Sequence, residues 1–311
     1  MKIYISCKKH IVFLSMCILL RSMLYAGSSA GSTSAEFLLM SNGARPSAMG
    51  DAFAGVADDV HAISYNPAGL GSLQSSELAL MHSKWLLDTT YEYAAYAQPL
   101  RKGTLGVSLA YLDSGDMVGR SNMGQKTHDF TATDLAVTLG YGIKIAQEMF
   151  VGLNGKFITQ KIDDASRNGG AIDIGVLWEL LTDKLYAGIT IQNMGPKLQA
   201  FDSTEDTLPM HYRMGVGYYA LERKLLIASD VKTIVHGKPT ISVGIEYLIR
   251  TLFFLRSGIL AGSDVDNSLA WTGGVGFTVH KFYFDYCYEP FGELDSTHKI
   301  SLVIKFKGYD F

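Results

Sequence analysis

The chain has 311 residues and a formal net charge of −3, which argues against a nucleic-acid partner. Charged residues are 18%, below the usual ~25%, while Gly (32), Tyr (17) and Phe (15) are plentiful, a composition shared by membrane β-barrels and soluble β-sandwiches. Of the three Cys, Cys7 and Cys17 fall in a predicted export signal, so Cys287 stands alone and neither a disulfide framework nor a CxxC metal site is available.

Residues 1–26 read as a signal peptide. Lys2, Lys8 and Lys9 give a basic start, Ile11 to Leu20 an apolar core, and Ala26 a cleavage point, with Ala30 as a second option. A core of about ten residues is too short to span a bilayer as a helix. Met16 before Cys17 is the wrong context for lipid attachment at that cysteine.

Residues 27–72 follow as a segment that is neither signal nor strand. From Gly43 to Leu70 it is dense in Gly and Ala, with Pro46 able to start a short helix near Ser47. Small residues allow backbone to pack on backbone, as a plug in a narrow space requires. Asp58 and Asp59 are read as accepting backbone N–H or Arg bonds that fix this plug. Direct contact with a ligand or cation is the alternative, although no third acidic ligand lies at an EF-hand-like spacing. Asn66-Pro67 reads as a turn, with Asn66 bonding the backbone two residues on.

From about residue 75 the pattern changes to runs near ten residues with period-two alternation. Ile300, Leu302, Ile304 and Phe306 oppose Lys299, Ser301, Val303 and Lys305; Val275, Phe277 and Val279 oppose Gly274, Gly276 and Thr278. Fourteen such runs are expected: 76–87, 90–99, 104–113, 131–146, 149–162, 170–181, 184–193, 210–221, 224–234, 239–248, 252–262, 270–280, 281–289 and 298–306. Connections at 100–103, 147–148, 182–183, 222–223, 249–251 and 280–281 are short. Those at 114–130, 163–169, 194–209, 263–269 and 290–297 are longer, with 88–89 and 235–238 as tight exceptions. An outer-membrane barrel has short periplasmic turns, longer external loops and an even strand number. A soluble sandwich shares the alternation but does not predict that order of connections. No segment reaches about 18 uninterrupted apolar residues, so a helical membrane protein is not expected.

In a barrel the apolar face meets lipid and the Gly, Thr, Asp and Lys face meets the lumen. Lumenal charges in this register include Asp134, Lys144, Lys156, Asp173, Glu246 and Asp285, of both signs, which suggests ion pairs across the lumen. Trp85, Tyr91, Tyr93, Trp178, Trp271, Tyr286 and Tyr288 lie near run ends and suit interfacial girdles, with strand propensity as the plainer explanation. His82, Ser83 and Asp88 are close in sequence, but adjacent strand residues point to opposite faces, so they do not form a catalytic set. The eight His show no metal-ligand spacing. No enzyme activity and no cofactor are expected.

Gly50, Ala57-Asp58-Asp59 and Asn66-Pro67-Ala68 together resemble the N-terminal hatch signature of the FadL family, outer-membrane channels for long-chain fatty acids and other hydrophobic compounds. The Ser-Ala-Met-Gly-Asp-Ala-Phe version at 47–53 is similar to the PorV/PorQ and spirochaete-type branch. The resemblance implies a hatch at 27–72 with Gly50, Asp58, Asp59, Asn66, Pro67 and Ala68 as hatch or gating residues. It implies a 14-stranded antiparallel transmembrane β-barrel over 73–311, in the outer membrane. It also implies passive uptake of a long-chain fatty acid or similar hydrophobic molecule, leaving through a hatch rearrangement or a gap between strands. The alternative it implies is a secretion-accessory barrel of the PorV kind that docks exported proteins. Expected partners are the hydrophobic ligand, outer-membrane lipid, the barrel-assembly machinery or a secreted protein, and no nucleic acid.

Overall fold

The computed structural model describes residues 33–85, 89–199, 205–235, 237–262, 269–290 and 296–306. The expected signal at 1–26, Asp88, and most of the connections 263–269 and 290–297 lie outside them.

Fourteen strands close into one antiparallel barrel. In chain order they are β1 (Glu77–Lys84), β2 (Thr90–Pro99), β3 (Thr104–Arg120), β4 (Lys126–Ala146), β5 (Met149–Ile162), β6 (Ala165–Leu181) and β7 (Leu185–Met194). Two short strands, β8 (Leu198–Gln199) and β9 (Glu205–Asp206), pair only with each other. The barrel continues through β10 (His211–Ala220), β11 (Leu225–Ile234), β12 (Pro239–Ile249), β13 (Phe253–Ala261), β14 (Ala270–Val279), β15 (Phe282–Pro290) and β16 (Ser296–Lys305). β1 closes on β16 through eight register pairs from Glu77↔Lys305 to Lys84↔His298. Lipid offers backbone amides no partner, so only closure satisfies every strand edge. Each neighbouring pair is laddered, so the described wall holds no gap for sideways exit.

The alternation falls on the faces the sequence indicates. Ile300, Val275, Phe277, Ile241, Val243 and Leu139 are exposed on the outer surface, whereas Lys299, Ser301, Ser242, Glu246 and Thr138 are buried inside. His82 is exposed and Ser83 buried, on opposite faces of β1. The aromatic girdle needs correction. Trp271, Tyr286 and Tyr288 do cluster on the outside, with Trp271 and Tyr288 centroids 5.7 Å apart. Tyr91 and Tyr93 instead share the inward parity of β2 with Ala95 and Ala97 and are buried, and Trp85 lies beneath the Lys299 ammonium.

Two expected loops are strand. The stretch 114–130 is a continuation of the β3–β4 hairpin, with Met117↔Phe130 and Arg120↔Lys126 paired after a register shift at Asp113/Asp116. Residues 165–169 belong to β6. Alternation of apolar residues marks contact with lipid, not ladder hydrogen bonds, so the sequence signal fades where strands rise above the membrane while pairing continues. The β8–β9 ribbon occupies part of 194–209. No helix among the described residues is long and apolar enough to cross a membrane.

Two outcomes check this frame. Val275→Arg, near mid-bilayer on the outer face, should cost ~2–4 kcal/mol. Thr278→Gln, facing inward, should cost less, as read by the temperature at which the barrel loses its compact mobility on SDS gels. On the raised hairpin, His128 Nε2 lies 2.7 Å from Asp163 Oδ2, and this hydrogen bond and charge raise the His128 pKa above its ordinary 6.5. A raised pKa means the pairing is complete below pH 6.5 and is lost as pH climbs through the raised value. The His128 ring resonance should therefore titrate above the ordinary value and return to it in Asp163→Asn.

Candidate functional site

The segment ahead of β1 fills the barrel. It threads as a 3-10 turn (Glu36–Leu39), a short helix (Ala44–Ala48), a single turn (Ala62–Tyr65) and a second 3-10 turn (Pro67–Ser72). Its residues from Ala44 to Leu70 are almost all buried against the inner wall. Gly43 sits at φ +98°, and a side chain there would collide with the buried His61 ring. The strands begin and end at the mouth with short turns. The segment enters from the other mouth, where Thr33 bridges Thr207 and Ser34 N–H donates to Thr207 at 2.9 Å.

Small residues on both sides make the approach close. A methyl at Gly152 would strike Pro67 and Ala68; one at Gly188 would strike Ala54; those at Gly244 and Gly258 would strike Met49 and Gly50. The inward glycines of the strands are thus the counter-surface of the Gly/Ala segment.

Ion pairs then fix it. Arg45 Nη1 donates to Asp58 Oδ1 at 2.6 Å and to Asp59 Oδ2 at 2.7 Å. Arg45 Nε and Nη2 donate to the two Glu246 oxygens at 2.9 and 3.0 Å. Glu246 also accepts from Arg256 Nε at 2.6 Å, and Arg256 Nη1 reaches Asp285 at 2.6 Å. Tyr219 donates to Asp58 at 2.7 Å, and Asp59 accepts from the His61 amide at 2.9 Å. The result is a chain of alternating charges from the segment into β12, β13 and β15. Buried charges on this scale persist only when each is paired.

The six hatch residues read from sequence fall in three places. Asp58 and Asp59 meet at Arg45. Asn66, Pro67 and Ala68 lie at β5–β7, where Asn66 Nδ2 donates to Ala54 O (2.9 Å) and Val176 O (3.0 Å) and Asn66 Oδ1 accepts from Ala68 N (3.2 Å). Gly50 lies apart, at φ +63°, its amide donating to Thr272 Oγ1 at 3.1 Å. Of the lumenal charges, Lys156 pairs with Asp173 at 2.9 Å, Asp134 accepts from Gln160 at 2.8 Å, and Lys144 sits exposed over the Phe150 ring.

Sequence reasoning did not single out Arg45, Arg256, Arg213 or Asp230. Asp230 Oδ2 accepts the Phe53 and Ala54 amides at 3.0 and 2.9 Å, and Arg213 donates to Asp51 O at 2.8 Å. The signal available was parity: Asp230 and Arg213 occupy inward positions. Two internal spaces lie between described residues beside the segment. One of about 170 Å³ at the short-turn mouth is lined by Arg45, Asp58, Glu246, Arg256, Asp285 and Lys305 among others. The second, about 20 Å³, lies between Asn42, Asp51, Tyr65, His211, Arg213 and Lys232. Charged residues are prominent in the lining of both, and the larger also meets Tyr219, Phe254, Tyr283 and Val303. Among the described residues no group of His, Cys, Asp and Glu is arranged to hold a metal ion.

Residues 62–304 match the sequence family described as type IX secretion system membrane protein PorP/SprF. The chain belongs to the PorP/SprF family. No curated protein matches it. Similar solved structures include the Ralstonia pickettii toluene transporter TbuX, at 13% identity and TM-score 0.63 over 88% of this chain and 100% of that one. The CymD monoaromatic hydrocarbon channel is similar at 12% and 0.61 over 86% and 98%. A Pseudomonas aeruginosa FadL homologue is similar at 11% and 0.55 over 82% and 97%. At these identities the likeness is one of fold: this PorP/SprF-family chain has the FadL-type barrel of the outer membrane.

Removing Arg45 would leave Asp58, Asp59 and Glu246 short of a counter-charge. Breaking a buried ion pair from one side costs ~3–5 kcal/mol. Arg45→Ala should still insert and run as a compact barrel, but purified into liposomes it should admit small sugars that the parent excludes. Asn66→Ala, which removes the side-chain bonds to Ala54 O, Val176 O and Ala68 N at a cost of ~1–3 kcal/mol, should give a smaller leak in the same swelling assay.

Proposed function

We propose that the chain is a closed, plugged outer-membrane barrel that serves protein export as a structural or docking component and carries out no catalysis. The observation that supports this reading is the lumen, filled from Ala44 to Leu70 and held by the Arg45–Glu246–Arg256–Asp285 chain of charges. A lumen so filled suits a scaffold, and the family description is that of a secretion-system membrane protein. The strands β3 to β6 extend past their neighbours at the long-loop mouth, where β2 stops pairing at Thr90↔Asp113 while β3 runs to Arg120. That raised wall is the surface offered to an exported protein.

The second reading, passive uptake of a fatty acid or other hydrophobic compound, draws on the likeness to the toluene transporter and the hydrocarbon channel. It requires an apolar pocket above the hatch, whereas the two internal spaces described above are lined largely by charged residues. Insertion by the barrel-assembly machinery is part of either reading.

Deleting the gene from the native bacterium should strip specific proteins from the cell surface and leave growth on long-chain fatty acids and entry of toluene-like compounds unchanged. Surface proteomics together with oleate uptake reads both arms. Normal surface proteins with impaired oleate uptake would reverse the assignment.

A further inference from the structure

We propose that the outer face of β16–β1–β2–β3 holds one zwitterionic phospholipid, its acyl chain in a recess over Ala94, its ammonium on Glu92 and its phosphate beside Lys84 and His82. This goes beyond the export reading and does not depend on it.

The recess is built by register. On one row across the barrel, Leu302, Leu80, Ala94 and Leu109 stand side by side on the outer face, because Leu80 pairs with both Leu302 and Ala94 and Ala94 pairs with Leu109. Three leucines flank a single methyl, so the surface dips at Ala94. Ile300 closes the next row, opposite His82. The space is about 410 Å³. Its floor is the unbroken β1–β2 ladder from Glu77↔Ala97 to Lys84↔Thr90, so it is a depression in the wall and not an opening to the lumen.

The polar end is what makes it a site. His82 Nδ1 and Glu92 Oε1 lie 2.6 Å apart on the outer surface, directly opposite one another in register. A carboxylate turned toward hydrocarbon is costly unless partners reach it. One row further toward the long-loop mouth, Lys84 pairs with His298, which bonds Tyr286 at 2.7 Å beside the Tyr288 ring. Aromatic residues of this kind mark the interface in membrane barrels. The pair therefore lies at head-group depth with the recess below it, toward the acyl chains. A carboxylate against an imidazole, with a lysine on the next outward row, matches a head that carries both charges. Apolar burial gives the chain affinity, and charge-assisted bonds choose the head.

The test is native mass spectrometry of the full-length protein released from nanodiscs of equal phosphatidylethanolamine and phosphatidylglycerol. The parent protein should retain one phosphatidylethanolamine after the other lipids are stripped. Ala94→Trp, which fills the recess, should lose it while keeping heat-modifiable mobility on gels. Glu92→Gln should keep a lipid but lower its preference for phosphatidylethanolamine roughly tenfold, since it removes one charge-assisted contact. No retained lipid, preference for phosphatidylglycerol, or equal retention in Ala94→Trp would each overturn the proposal. Should Ala94→Trp fail to insert, the head-group preference of Glu92→Gln decides alone.

Discussion

Closure of β1 on β16 is the constraint on which the rest depends. Backbone amides in hydrocarbon have no partner but another strand, so the sheet must return on itself. A closed sheet of fourteen strands then has two faces and a fixed parity. Alternate residues meet lipid, and the others enclose a space that must be filled or left to water. Here it is filled, and the filling explains the composition of both the segment and the wall.

The filling works by close backbone contact and by charge. Gly/Ala-rich turns lie against inward glycines such as Gly152, Gly188 and Gly244, which leaves room for the segment and for the buried side chains of Met49, Phe53, Ile63 and Leu70. Apolar burial holds the segment to the wall, as where Met49, Phe53, Val56 and Tyr65 cluster with Tyr219, Leu226 and Ala228, and polar bonds fix its position. Arg45 is the central one, since its guanidinium joins two carboxylates of the segment to Glu246 of β12. Arg256 extends the same alternation to Asp285 of β15. Such an arrangement specifies one seat for the segment, because any shift would leave buried charges unpaired.

Much of the barrel was legible because lipid contact writes itself as period-two hydropathy. The fourteen runs coincide with fourteen strands, most within a few residues. The pattern fails where lipid ends: the β3–β4 hairpin above Asp113 keeps its ladder but loses the alternation, so 114–130 reads as a loop. Tyr91 and Tyr93 mislead for a related reason, since aromatic residues favour strands on either face. Within the segment, Asp58, Asp59 and Asn66 stand out as polar residues among Gly and Ala. Arg45 does not, because a sequence does not say which of many carboxylates an arginine will meet across a distance of 201 positions.

The central claim is that the segment stays seated while the barrel does its work. Ala48 packs against Cys287, the free cysteine among the described residues. The direct measurement is export of surface proteins by cells carrying Ala48→Cys, with the segment cross-linked to Cys287 by mild oxidation and then released by reduction. Export should be equal in the locked and released states. Export that stops on cross-linking and resumes on reduction would show that the segment must move, and would contradict it.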